Sequence, residues 1–298
     1  MADSVVTLEY RKNERGNIAL ITLNNPTKLN AMTQDNYYTL SQYLREIADR
    51  PDVYITVLTG KGRFFSAYVP LPPLPQHPSS LPTNTPPSGA DVTVPRPSST
   101  SETQSELYRT SLRNFVAGNL NTTQAFYTHP KILVIALNGP VIGLSAALTG
   151  FADFIYCTPH TYLLTPFSSL GLVSEGGASI GFVQRMGLPK ANEALIMSKR
   201  LTCEELVSCG YVNKVFGTKP TEQEKFLDLV LKEVDDRMGP HLVPDSLTKI
   251  KALIRKPYKD ALDAQGVAEV YGGIEVFMKG IPQEEFRKIA SKEKKHKL

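Results

Sequence analysis

Residues Asn138–Gly177 read NGPVIGLSAALTGFADFIYCTPHTYLLTPFSSLGLVSEGG. Immediately upstream, Lys131–Leu137 (KILVIAL) is a nearly continuous apolar run, the pattern of a strand covered on both faces in a parallel sheet. The Gly-Pro turn ends that strand, and the small residues that follow predict a helix beginning near Leu144. A helix start carries N–H groups with no partner inside the helix, so it favours negative charge. A second pair of strands follows, and then one carboxylate, Glu175, stands in an otherwise apolar segment. Apolar surroundings disfavour the charged form and raise a carboxyl pKa, which lets the group carry a proton near neutral pH. Together the two features imply proton transfer beside a carbonyl.

The flanking sequence extends the α/β pattern. Val5–Tyr10 and Asn17–Leu23 alternate as paired strands, joined by the polar turn Asn13-Glu14-Arg15-Gly16. From Thr33 to Asp49 the apolar residues Tyr37, Leu40, Tyr43, Leu44 and Ile47 recur at helical spacing behind Thr33 as N-cap. Val53–Thr59 predicts a short buried strand, and strand–helix–strand order implies right-handed crossovers in a mainly parallel sheet. Thr202-Cys203-Glu204-Glu205 predicts a capping box opening a helix that stops at Gly210, with a strand over Tyr211–Phe216. Three helices are expected at about Thr221–Met238, Ser246–Arg255 and Asp260–Lys279, punctuated by Pro240, Pro257 and Pro282. The division expected is a core over residues 1–216 and a helical region over 217–298 with an exposed basic tail.

Composition narrows the function classes. The 298 residues are 41% hydrophobic, enough for a packed core, and the net charge is only +4. Much of the basic excess lies in Phe286–Leu298, and elsewhere Lys and Arg alternate with Asp and Glu, so no nucleic-acid footprint is expected. The three cysteines (Cys157, Cys203, Cys209) are odd in number and lack CxxC spacing, which suits reduced thiols and no metal site. No apolar run is long enough for a membrane span and no signal-peptide core is present, so a soluble intracellular protein is expected. The terminal His296-Lys297-Leu298 is similar to the Ser-Lys-Leu peroxisomal tripeptide, with Lys292, Lys294 and Lys295 upstream, and points to an import receptor and the peroxisome.

Five motifs in order carry a family resemblance: Asn25-Pro26 with Leu29-Asn30-Ala31; Gly62-Arg63-Phe64-Phe65-Ser66; Ser88-Gly89-Ala90-Asp91; NGPVIGLSAAL; and LTCEELVSCGYVNKVF. The chain resembles the crotonase (enoyl-CoA hydratase/isomerase) superfamily over nearly its whole length. Within it, NFVAGN, NGPVIGLSAAL, GLVSEGG and the His-basic-Leu tail are most similar to the fungal peroxisomal Δ3,Δ2-enoyl-CoA isomerase subgroup. The resemblance implies a crotonase-type ββα spiral core with a helical C-terminal region, a homotrimer or hexamer, an acyl-CoA thioester substrate and no cofactor, coenzyme A being part of the substrate.

The resemblance also assigns roles. The backbone N–H groups of Ala90 and Leu144 would form the oxyanion hole, with Ser88, Gly89, Asp91 and Val92 shaping that turn. Loss of one such donor typically costs about 3 kcal/mol of transition-state stabilisation. Glu175 matches the subgroup's single catalytic glutamate, moving a proton from C2 to C4, and Asn119 matches an asparagine beside it. Hydratases use two glutamates, and those positions here correspond to Ala147 and Phe167, so weak or no hydration is expected. His129 and His160 adjoin prolines and are expected to be structural.

One segment departs from the family. Tyr68–Ser88 inserts about twenty-one residues, rich in proline, between Phe-Phe-Ser-Ala and Gly-Ala-Asp. Either it is a surface loop closing back on itself, since long insertions with near ends cost little, or it is a retained intron in the gene model. The function expected is isomerisation of 3-enoyl-CoA to trans-2-enoyl-CoA in fatty-acid β-oxidation. The alternatives are a hydratase-like enzyme of fungal secondary or siderophore metabolism, or a catalytically inactive crotonase-like subunit.

Overall fold

The computed structural model describes residues 4–13, 16–67 and 104–295. Ser88, Gly89, Ala90, Asp91, Val92, the insertion 68–88, the turn residues Glu14 and Arg15, and the tail His296, Lys297 and Leu298 lie outside the described residues.

Strands β1 (Val6–Asn13) and β2 (Gly16–Leu23) pair antiparallel, and helix α1 (Gln34–Ala48) leads to β3 (Val53–Gly60), parallel to β2. Thr33 caps α1 as expected. Its hydroxyl accepts the Asn36 N–H while the Asn36 side chain accepts the Thr33 N–H, a reciprocal box closed by Asn where Glu is usual. A helical run follows, made of α2 (Gln104–Ser111), a π-helical stretch (Leu112–Val116) and α3 (Ala117–Tyr127). The chain continues through β4 (Ile132–Leu137), β5 (Val141–Ile142), α4 (Leu144–Thr149), β6 (Phe154–Cys157), β7 (Tyr162–Leu164) and α5 (Ala178–Leu195). It then forms β8 (Leu201–Thr202), α6 (Cys203–Ser208), β9 (Lys214–Val215), α7 (Gln223–Met238), α8 (Pro244–Arg255), α9 (Lys259–Met278) and α10 (Ile281–Ala290).

The strands form two sheets, β1-β2-β3-β4-β6-β9 and β5-β7-β8. Beyond β2 every pairing in the larger sheet is parallel. Each turn of the spiral places one strand in the large sheet, crosses to the small one and returns through helix: β4 to β5 to α4, then β6 to β7 to α5. Even the β3 turn follows this pattern, because Ser66 bridges Val141 of β5 before the chain leaves toward α2. This is the crotonase-type architecture.

β4 is buried at all six residues because both faces of its sheet are covered. Leu133 and Ile135 face the core shared with α1, α4 and α5, while Ile132, Val134 and Ala136 meet Phe226, Val230, Val234 and Met238 of α7. A third cluster joins Phe115 to Val270, Ile274 and Phe277, packing α9 against the 104–127 helical run.

Two expectations shift. The strand expected over Tyr211–Phe216 shrinks to Lys214–Val215, because its partner β6 runs only from Phe154 to Cys157 and Tyr211 turns inward, its hydroxyl 2.7 Å from Thr149 Oγ1. Four helices, α2, α3, α5 and α10, also stand where none was anticipated. Gly181, Gly187 and Pro189 lower the helical propensity of α5, which kinks at Gly187.

Candidate active site

The motif residues at the strand ends first knit loops together. Asn138 receives the Gly60 N–H at 3.1 Å and donates to Gly62 O at 2.6 Å; Asn30 donates to Lys61 O and Phe64 O, both at 2.8 Å. A Cβ on Gly139 would lie 2.2 Å from Arg63 O, so only glycine lets these two turns meet. The start of α4 follows directly. Gly143, at φ +71°, donates to Leu164 O at 2.9 Å, and Leu144 opens the helix with an N–H that has no intrahelical acceptor. All six residues of α4 are buried. A hydroxyl chain fixes it from the side: Tyr37 Oη lies 2.8 Å from Ser145 Oγ, which donates to Ser66 Oγ at 2.9 Å, which donates to Asn30 O at 2.9 Å.

Glu175 sits on the loop between β7 and α5 and is 4% exposed. Asn119, on α3, donates its Nδ2–H to Glu175 Oε2 at 3.0 Å. The amide's other end is defined too, because Asn119 Oδ1 accepts from Gly176 N and Thr123 Oγ1, each at 3.3 Å. Asn119 therefore holds both the carboxylate and the backbone of its neighbour. The Gly176-Gly177 pair explains why the sequence must read Glu-Gly-Gly. Both residues are left-handed (φ +67° and +70°), and a Cβ on Gly176 would lie 2.6 Å from Leu144 Cδ1 and 3.0 Å from Ala147 Cβ. The loop carrying Glu175 thus lies directly on the first turn of α4.

The three predicted residues among those described, Leu144, Asn119 and Glu175, are brought together. Asn119 and Leu144 line a cleft of about 470 Å³ with Tyr37, Phe115 and Thr122, and the exposed Asp35 stands at its rim. Ala147 and Phe167, where hydratases carry glutamates, are buried apolar side chains. A larger groove of about 1090 Å³ lies against α7 and α8 and includes none of the three.

The histidines serve the frame. His129 Nε2 lies 2.8 Å from Thr56 Oγ1, and burial, helped by the charge of Lys251, pushes its pKa down to about 3, so it stays neutral. His160 Nε2 lies 3.1 Å from Asn138 O, and burial lowers its pKa. All three cysteines are free thiols. Among the described residues no cluster of three or more His, Cys, Asp or Glu could hold a metal, and no helix is long and apolar enough to cross a membrane.

One carboxylate was not anticipated. Glu269 of α9, 5% exposed, accepts from Gly177 N at 2.7 Å and Ser179 N at 3.0 Å, beside Glu175. Its sequence signal was present, since Leu262, Gly266, Val270, Gly273 and Phe277 set out a buried helix face on which Glu269 also falls.

The enoyl-CoA hydratase/isomerase family model matches residues 13–71 and 99–294, breaking off over the proline-rich region. A Delta(3,5)-Delta(2,4)-dienoyl-CoA isomerase of Pyricularia oryzae is 53% identical over 99% of both chains. A 3,2-trans-enoyl-CoA isomerase of Saccharomyces cerevisiae is 33% identical over 97% of this chain and 99% of its own. Among solved structures, an enoyl-CoA hydratase/isomerase of Pseudoalteromonas atlantica superposes with a TM-score of 0.74 over 98% of this chain and 99% of its own, at 21% identity, a likeness of fold. On its family match, its full-length relatives and its spiral fold, the chain belongs to the enoyl-CoA hydratase/isomerase (crotonase) family.

Proposed function

We propose that the chain isomerises 3-enoyl-CoA to trans-2-enoyl-CoA, with Glu175 as the proton carrier. The observation that carries this is one buried carboxylate, tied to Asn119 and seated on the first turn of α4, with apolar residues at both hydratase glutamate positions. Glu175 takes a proton from C2. The C–H electrons move into the thioester as an enolate whose oxygen is held by the N–H groups of Leu144 and Ala90. The enolate then collapses, the C3=C4 electrons take the proton from Glu175 at C4, and C2=C3 is formed. The donors act where charge develops, and the carboxylate is reused, so no metal or redox cofactor enters. Hydration would need a second acid–base group to activate water while the first protonates C2.

A second reading, a 3,5-dienoyl to 2,4-dienoyl shift, is favoured by the name of the 53% identical relative. That reaction returns the proton to C6, four bonds from C2 rather than two, which asks more reach of one carboxylate. We place either activity in the peroxisome, with import through His296, Lys297 and Leu298, and in a homo-oligomer. A relative from Mus musculus whose name includes "peroxisomal" is 28% identical.

The test is turnover of trans-3-hexenoyl-CoA and of a 3,5-dienoyl-CoA by the full-length chain, by a version lacking Tyr68–Ser88 and by Glu175→Gln in each. Conjugation of the monoene that falls by about 10²–10⁴-fold in Glu175→Gln is expected. Faster turnover of the diene moves the assignment to the second reading, and silence of both forms on both substrates refutes an isomerase. Activity confined to the shortened form identifies the insertion as a retained intron.

A further inference from the structure

We infer that Glu269 is a positioning residue for Glu175, clamping the backbone of loop 174–179 so that the carboxylate can move while its carrier stays fixed. This rests on the role proposed for Glu175.

A buried carboxylate is costly unless its oxygens are filled with donors. All four hydrogen bonds to Glu269 come from one short segment that brackets Glu175. Oε2 accepts from Gly177 N at 2.7 Å; Oε1 accepts from Ser179 N at 3.0 Å, Ser179 Oγ at 2.5 Å and Ser174 Oγ at 3.1 Å. Gln265, one turn earlier on α9, donates to Ser179 Oγ at 3.0 Å and so directs that hydroxyl's proton toward Glu269. Gly177 is the N-cap of α5 and has no side chain to cap the helix, so a residue ninety-two positions away satisfies the orphan N–H groups. Negative charge at a helix N-terminus adds to this.

The clamp is itself braced. Phe277 of α9 meets Phe115 edge-on at 4.8 Å, and a Cβ on Gly273 would lie 2.6 Å from the Phe115 ring, so α9 sits tightly on the run that carries Asn119. One helix pair therefore fixes the loop backbone through Glu269 and sets a hydrogen-bond donor, Asn119, beside the Glu175 carboxylate. A single proton carrier serving C2 and C4 needs an anchor that holds, because both carbons must be reached from one backbone position.

Glutamine would turn two of its hydrogens toward the donors that Glu269 now receives. In Glu269→Gln, kcat should fall by about 10–100-fold with KM within about threefold of wild type, the signature of a misplaced carrier rather than lost substrate binding. Glu269→Asp, which keeps an acceptor-only group, should recover most of that loss and is read in place of Glu269→Gln if the latter does not fold. Added to Glu175→Gln, the Glu269→Gln change should lower the residual rate by less than about threefold, since no carrier is left to position. Hydrogen–deuterium exchange provides a readout independent of turnover: the peptide spanning 174–180 should lose protection in Glu269→Gln while β4 keeps it. If wild type is inactive on both substrates, the function proposed for Glu175 falls, and exchange alone decides the clamp. Unchanged protection over 174–180, an unchanged kcat in an active background, or a KM effect alone overturns it.

Discussion

Replacing Gly176 with alanine tests whether the contact between the Glu175 loop and α4 sets the site. Two costs add. Alanine at φ +67° pays for a left-handed backbone, about 1–2 kcal/mol. Its Cβ would also lie 2.6 Å from Leu144 Cδ1 and 3.0 Å from Ala147 Cβ. The leucine methyl can rotate away, but the alanine Cβ is fixed to a buried helix, so the loop must lift; overpacking of this kind costs about 1–3 kcal/mol. Gly210→Ala is the matched control, with φ +76° and nothing within 4 Å of the added Cβ, so it pays the backbone cost alone. A chain of this size loses on the order of 2 °C in Tm per kcal/mol. Gly176→Ala should therefore melt about 4–10 °C below wild type and Gly210→Ala about 2–4 °C below. The lift also displaces Glu175, and a shift of about 1 Å can cost a hundredfold in rate. The assays are differential scanning calorimetry and turnover of trans-3-hexenoyl-CoA, each on both variants. Equal melting temperatures for the two, together with wild-type kcat in Gly176→Ala, would refute the reasoning, because the loop would then not depend on α4.

Three further outcomes follow from single interactions. Asn119→Asp replaces a donor 3.0 Å from Glu175 Oε2 with a second carboxylate; the pair then shares a proton, and kcat at neutral pH should drop about a hundredfold with its pH profile moved upward. Asp153→Ala removes the carboxylate that receives Lys251 Nζ at 2.6 Å, leaving that lysine, 7% exposed, with its charge uncompensated; urea unfolding should show a loss of about 3–5 kcal/mol. The Glu205 carboxyl is held down to about 2, first by Lys199 and then by the Thr202 N–H. A depressed folded pKa means stability that is present above the ordinary value of 4.5 and lost as pH falls toward 2, so the deficit of Glu205→Gln in melting temperature should be full at pH 7 and vanish across that window.

How much of this was legible depends on the distance over which each interaction acts. The caps at Thr33 and Thr202 were readable because both partners lie within four residues. The β4 strand was readable because a strand covered on both faces is apolar without interruption. Leu144 and Glu175 could be named, but that Gly176 is what seats one on the other could not, because its φ and its 2.6 Å approach exist only after folding. Asn119 was placed by resemblance; its bonds to both Glu175 and Gly176 span a helix and a loop that no periodicity connects. Glu269 lies further off still. Nothing in the local sequence of α9 says that its one buried carboxylate answers the uncapped start of α5.

The division of labour in the site follows from what the reaction requires of each group. An oxyanion donor must already stand where charge will form, since reorienting it during the reaction would return the stabilisation it gives. The donor we propose, the Leu144 N–H, would meet that demand as backbone on a wholly buried helix, wired through Ser145 and Ser66 to Asn30. A proton carrier has the opposite requirement, because C2 and C4 are different places and one carboxylate must serve both. Glu175, the carrier we propose, sits on a loop rather than within α5, with a hydrogen bond from Asn119 to Oε2. A carrier on a loose loop would wander, and one inside a helix could not swing. Two left-handed glycines set against α4, with Glu269 accepting from the N–H groups behind them, pin the backbone of the loop that carries Glu175. The choice between a two-bond and a four-bond proton shift then comes down to how far that single side chain can travel from a fixed anchor, and lengthening its reach should favour the diene over the monoene.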